Sequence, residues 1–167
     1  MDHLWSPWRY RYVTKSDSPA GCVFCQMVAE QDDPKNLILL RGKFNFAVLN
    51  LYPYTNGHLM IVPYSHVPSL TQAQPEALTE MMWLAKHAEA ALGKVYGPQG
   101  INLGMNLGEC AGAGVAGHIH MHIVPRWFGD ANFMSVTAET RVHIEELPTT
   151  WTRLQAALRE ELHPPIA

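Results

Sequence analysis

The run Gly117-His118-Ile119-His120-Met121-His122-Ile123-Val124-Pro125 constrains this chain more than any other stretch. A strand projects residues two apart from one face. Three imidazoles then share a surface while Ile119, Met121 and Ile123 enter a core. Neighbours on that face sit roughly 6.7 Å apart, too far for one ligand cluster unless the rings lean together, yet close enough to divide labour around a substrate. A single histidine here would read as an ordinary surface residue. Three in register, entered through glycines and ended by Pro125-Arg126, read as an active-site strand, because imidazole serves as nucleophile, base and ligand near neutral pH.

The preceding segment, Asn106-Leu107-Gly108-Glu109-Cys110-Ala111-Gly112-Ala113-Gly114, is rich in glycine. Without Cβ atoms, its backbone N–H groups can approach an anion closely, so a phosphate held there would lie against the imidazoles. Tight turns between strands also need glycine, and it is the position before the histidines that favours the anion.

The remaining elements can be placed around this strand. Cys22 to Val28 reads as a turn entering a short helix. Asn36 to Leu40 and Phe44 to Leu49 form a hairpin through Arg41-Gly42-Lys43, and His58 to Val62 continues the sheet up to Pro63. The long helix starts at Gln74-Pro75-Glu76 and stops at Gly97-Pro98, with Leu78, Met81, Met82, Ala85, Ala88, Leu92 and Val95 at helical spacing. Ile101 to Met105 is a further strand, and Thr149-Thr150 caps a last helix running to about Leu162. The expectation is one α+β domain over residues 1–167, an antiparallel sheet of about five strands. An aromatic arm over 1–20 precedes it, and a C-terminal extension over 126–167 carries the final helix.

Composition narrows the function classes. With 47% hydrophobic and 16% charged residues the chain is built to bury a core, and a net charge of -3 gives no broad attraction to nucleic acid or an acidic membrane. No apolar run approaches the ~20 residues of a membrane span, and the first residues lack a signal-peptide layout. Three cysteines, an odd number, argue against a disulfide framework and for a reducing, cytoplasmic setting. Cys22-x-x-Cys25 suits either a metal or redox chemistry.

His-apolar-His-apolar-His-apolar-apolar is the signature of the histidine triad superfamily, which this chain resembles closely. Phe44 to His66, Asn102 to Gly117 and Pro125-Arg126-Trp127 to Phe133 are similar to its diadenosine polyphosphate-processing branch. The resemblance spans roughly residues 4 to 135 and implies the triad fold, an adenine-nucleotide substrate and a homodimer. It implies a nucleotidyl hydrolase or transferase acting at an α-phosphate through a nucleotidyl-histidine intermediate, with water or inorganic phosphate as acceptor. His120 would be the nucleophile, His122 would contact the phosphate or bridging oxygen, and His118 would support the site or bind metal.

The same resemblance puts Asn50 on the ribose, Phe44 and Phe46 near the base, and Asn106, Gly112 and Gly114 in the nucleotide site. It pairs Cys22 and Cys25 with His66, from Pro63-Tyr64-Ser65-His66, and with His118 as ligands of a structural zinc ion. The chain departs from the family pattern at Leu107, where several relatives carry Gln or Asn, and at Gly114, where many carry Gln; leaving-group contacts there are backbone-made or differ from those of the relatives, which bears on substrate preference. An adenylate phosphoramidase, a nucleotide-binding signalling protein and a hydrolase using the histidines as catalytic zinc ligands are the competing readings.

Overall fold

The computed structural model describes residues 21–130 and 145–162. The aromatic arm, and the stretch of the C-terminal extension that contains Phe133, lie outside them. Within the described residues the order is α1 (Val23–Glu30), β1 (Ile38–Arg41), β2 (Asn45–Leu49), β3 (Leu59–Pro63), α2 (Pro75–Tyr96), β4 (Gly100–Gly104), β5 (Met121–Arg126) and α3 (Leu147–Leu162). The strands form one antiparallel sheet in the order β1-β2-β3-β5-β4. This is the expected α+β architecture.

Every residue of β2 and β3 is buried, so both faces of the sheet are covered. Ala47, Leu49, Leu59, Ile61 and Ile123 lie on the first face, beneath α2 and α3. Phe46, Val48, Met60 and Val62 lie on the second and pack with Phe24 of α1 into a smaller core. Period-2 alternation thus supplies two apolar faces in the central strands, as strands buried on both sides require.

α2 begins with Pro75 in its first turn, where the missing N–H costs nothing, and ends at Gly97 in the left-handed conformation (φ 54°). Its buried stripe is Ala77, Met81, Leu84, Ala85, Ala88, Ala91 and Leu92. Met82 is not core, being 54% exposed; the stripe runs through its neighbour Met81. On the same helix, Glu80 fastens the β1–β2 turn. Its carboxylate accepts the backbone N–H groups of Lys43, Phe44 and Asn45 at 2.7–2.8 Å, and the Asn45 side-chain amide at 2.8 Å. Burial alone would raise the Glu80 pKa, but these donors outweigh it and hold the group below its ordinary value. α3 starts two residues before the expected Thr149 cap. No described helix is long and apolar enough to cross a membrane.

Candidate active site

The histidine segment is only half a strand. Pairing begins at Met121 with β3 and at His122 with β4, while the segment upstream is held by the Ile119 N–H donating to the Val67 carbonyl at 2.8 Å. Alternation persists through it, with Ile119 buried opposite the imidazoles. The histidine face is not an exposed one. His118 and His120 are 1% and 5% exposed, because Phe24 covers them with ring centroids at 5.4 and 5.1 Å.

The three imidazoles then part company. The rings of His120 and His122 lean together, 4.9 Å apart and edge-on, and both line a cavity of about 580 Å³. His118 does not line it. Its Nδ1 faces the thiols of Cys22 (3.3 Å) and Cys25 (3.8 Å).

Hydrogen bonds assign the tautomers at the cavity. Nδ1–H of His120 donates to the carbonyl of His118 at 2.9 Å, which leaves Nε2 with a free lone pair. His58, buried on β3's approach, accepts the Tyr54 N–H at Nδ1 (3.1 Å), so its proton sits on Nε2 and donates to His122 Nδ1 at 3.0 Å. His122 consequently carries its proton on Nε2. The pair presents one nucleophilic nitrogen and one N–H donor. Burial pushes the His120 pKa down, and burial with the neighbouring His120 pushes His122 down to about 4, so both rings are neutral near pH 7.

Of the residues expected at the nucleotide, Asn50, Asn106, Gly112 and Gly114 line this cavity. Asn50 accepts the Tyr52 N–H at 2.9 Å, which fixes its side chain at the rim. Gly108 and Gly112 hold φ of 88° and 90°, conformations that side chains other than glycine disfavour. Phe44 and Phe46, expected near the base, are set back from the cavity. Phe46 is fully buried and stacks on Tyr64, and neither ring lines the cavity. The apolar wall is instead Val23, Phe24, Met27, Leu49, Met60 and Val115. Sequence reasoning passed over His58, although Gly57-His58-Leu59-Met60 places it in phase with Met60, which pairs with His122.

Cys22, Cys25, His66 and His118 converge, their four ligand atoms lying within 4.8 Å of one another. A tetrahedral zinc with bonds of about 2.3 Å to sulfur and about 2.0 Å to nitrogen sets S···N edges near ~3.5 Å. The observed separations are 3.3 Å for Cys22–His118, 3.5 Å for Cys25–His66 and 3.8 Å for Cys25–His118. Nε2–H of His118 donates to the Pro63 carbonyl at 2.7 Å, turning the Nδ1 lone pair toward the thiols as a metal-ligating histidine requires. Desolvation, and then Cys22 beside it, raise the Cys25 pKa, a cost that a bound cation would remove. A Cβ on Gly117 would stand 3.3 Å from His66 Nε2, so glycine lets the ring reach the cluster. The residues fit a closed metal site, and among the described residues this is the one such cluster.

Comparison with known proteins agrees with this geometry. A Mycobacterium tuberculosis protein called AP-4-A phosphorylase is 39% identical over 151 residues, 85% of this chain and 76% of the relative. A bis(5'-nucleosyl)-tetraphosphatase (asymmetrical) from Schizosaccharomyces pombe is 33% identical over 89 residues, covering 53% of this chain and 48% of that protein. A Zn-bound histidine triad family protein from Mycobacterium smegmatis superposes with a TM-score of 0.69 at 27% identity, covering 84% of this chain and 94% of that one. The HIT domain family model matches residues 31–129, the span that holds the sheet, the glycine loop and all three histidines: the chain belongs to the HIT domain family.

Proposed function

We propose that the protein is a nucleotidyl transferase or hydrolase that cleaves diadenosine polyphosphates at an α-phosphate. The observation that carries the reading is the tautomer pair, a free Nε2 on buried His120 beside the Nε2–H of His122 at the wall of one cavity. The likeness to AP-4-A phosphorylase and to the asymmetrical tetraphosphatase supports the substrate class.

Nε2 of His120 attacks the α-phosphorus, and the bond to the bridging oxygen breaks as the P–N bond forms. From diadenosine tetraphosphate the leaving group is ATP, whose departing oxygen is met by the His122 donor. In the second half an acceptor oxygen attacks the same phosphorus and frees His120. Inorganic phosphate yields ADP; water yields AMP. Asn50 holds the ribose, and the amides around Gly112 and Gly114 hold the phosphates, a task that Leu107 and Gly114 leave to the backbone. Val23, Met27 and Met60 supply the apolar side of the adenine pocket.

Cys22, Cys25, His66 and His118 would hold zinc. With four protein ligands such an ion offers no position to substrate and acts as a cross-link between α1, the turn after β3 and the histidine segment. Among the described residues the outer edge of β4 is unpaired and most of its residues are exposed, which supports pairing of two copies.

Incubation with diadenosine tetraphosphate, with and without phosphate, tests the reading. ADP with ATP appearing only when phosphate is present identifies the phosphorylase; AMP with ATP identifies the hydrolase. Cleavage of adenylate phosphoramidates alone, or no cleavage at all, overturns it. Stoichiometric zinc in protein purified without chelators is the expected metal analysis, and its absence counts against the ligand set.

A further inference from the structure

His118 takes part in two structures at once. Its imidazole closes the Cys22–Cys25–His66 cluster, while its main-chain carbonyl accepts the proton that decides which nitrogen of His120 is free. The thiols are equally double in consequence. Cys22 is the N-cap of α1 and Cys25 lies in its first turn, and between them stand Val23 and Phe24. Both of those line the cavity, with Met27 one turn further on.

Among the described residues α1 is otherwise held by the partial packing of Met27 and Val28 beside Phe24 and by the exposed bonds of Glu30 to Lys35 and Asn36. It is eight residues long, has no side-chain hydrogen bond at its cap, and buries only Phe24 fully. Helices this short are not stable alone and take their position from tertiary anchors. The metal cluster is an anchor that grips both sides of the residues facing the nucleotide, yet none of its four ligands lines the cavity.

We propose that occupancy of the Cys22–Cys25–His66–His118 cluster sets nucleotide affinity, by positioning the Val23–Phe24–Met27 wall and the His118 carbonyl that orients His120. His118 is thereby a positioning residue for the reaction. The inference rests on the cavity being the nucleotide site.

The test is calorimetric titration of AMP into zinc-loaded wild type, chelator-stripped wild type and a His66→Ala variant. It is run at low temperature, with circular dichroism confirming that each is folded. His66 is chosen because it touches neither His120 nor the cavity. Loss of a group that orients a site from behind is worth ~10–100-fold, so the stripped protein and His66→Ala are expected to bind AMP at least about tenfold more weakly. His66→Cys, which returns a fourth soft ligand, should recover the loaded affinity. Nitrogen NMR of His120 supplies a second readout: the Nδ1–H tautomer dominates when zinc is bound and gives way to a mixture when it is removed. If stripping unfolds the chain, folded His66→Ala, shown by metal analysis to hold less than stoichiometric zinc, carries the same comparison. Equal AMP affinity and an unchanged His120 tautomer in folded zinc-loaded protein and in folded zinc-free protein or His66→Ala overturn the inference while leaving the nucleotide site intact. Failure of the loaded wild type to bind AMP overturns the nucleotide reading instead.

Discussion

Replacing His58 with phenylalanine isolates the donor at the cavity. His58 is 1% exposed, with the Tyr54 ring at 4.7 Å and His122 at 5.1 Å, and phenylalanine fills the same flat space without nitrogen. The substitution removes the 3.0 Å bond to His122 Nδ1, and with it the acceptor of the Tyr54 N–H and a 3.4 Å contact of the Asn50 amide. Protonating that ring to compensate is barred, since burial and His120 hold His122 down to about 4. Without that donor nothing biases the proton to Nε2 or holds the ring, so the proton can move to Nδ1 or the ring can turn. Either response takes the N–H away from the cavity. As a ground-state hydrogen bond the loss is worth ~1 kcal/mol of stability, or somewhat more with the abandoned nitrogen left buried. As a donor to charge developing on the leaving oxygen it is worth ~3–4 kcal/mol, a factor of about 10²–10³ in kcat. The second effect wins. Steady-state turnover of diadenosine tetraphosphate should therefore collapse while AMP affinity stays within about threefold. A substrate whose leaving group needs no protonation should recover most of the rate. His58→Phe that folds and keeps more than about half the parent kcat would refute the tautomer chain.

Three other perturbations test separate parts of the site and scaffold. His120→Ala should lower turnover by ~10³ or more with nucleotide binding nearly unchanged, and quenched parent enzyme should carry acid-labile, base-stable label from an α-labelled substrate; label on His122 would move the nucleophile. Asn50→Ala should weaken nucleotide binding by ~1–2 kcal/mol, and the parent should discriminate against 2′,3′-dideoxyribose nucleotides; equal affinity for both sugars removes Asn50 from the ribose. Glu80→Ala should cost ~2–3 kcal/mol of stability, because three backbone donors and the Asn45 amide lose their acceptor. Since the folded pKa of Glu80 is lowered, its contribution is complete above the ordinary carboxylate range and fades as pH falls through the folded value. Denaturation of parent and variant should converge in acid, and a constant gap between pH 7 and pH 3 would contradict the role.

The sequence reading succeeded where the physics is local. Pro75 and Gly97 bound α2 because capping and the left-handed turn depend on one or two residues each. The histidine alternation survives even where strand pairing has not begun, since backbone extension alone sets which way side chains point. Helix phase was less legible. Met81, Met82, Leu84 and Ala85 are all apolar, so the pattern admits more than one buried stripe, and packing against β2 and β3 chose Met81 and Leu84 over Met82. The setting of Phe44 and Phe46 was hard to read for a related reason. A strand buried on both faces has no polar side to mark which residues meet ligand. His58 was hidden by distance, because the pairing that delivers it to His122 joins positions 64 apart in the chain.

That doubly buried sheet also explains how so small a domain combines stability with chemistry. In β3 and β5 the odd-numbered residues Leu59, Ile61 and Ile123 build the larger core under α2 and α3. The even-numbered Met60 and His122, paired across the two strands, face the cavity. Core packing therefore fixes the strand register, and strand register fixes which side chains meet the cavity without further contacts. A slip of one residue would exchange the two sets, burying His122 among leucines and turning Ile123 toward the cavity. The large apolar side chains opposite the imidazoles make that exchange prohibitively costly. They hold His120 and His122 in place as effectively as any residue that touches them.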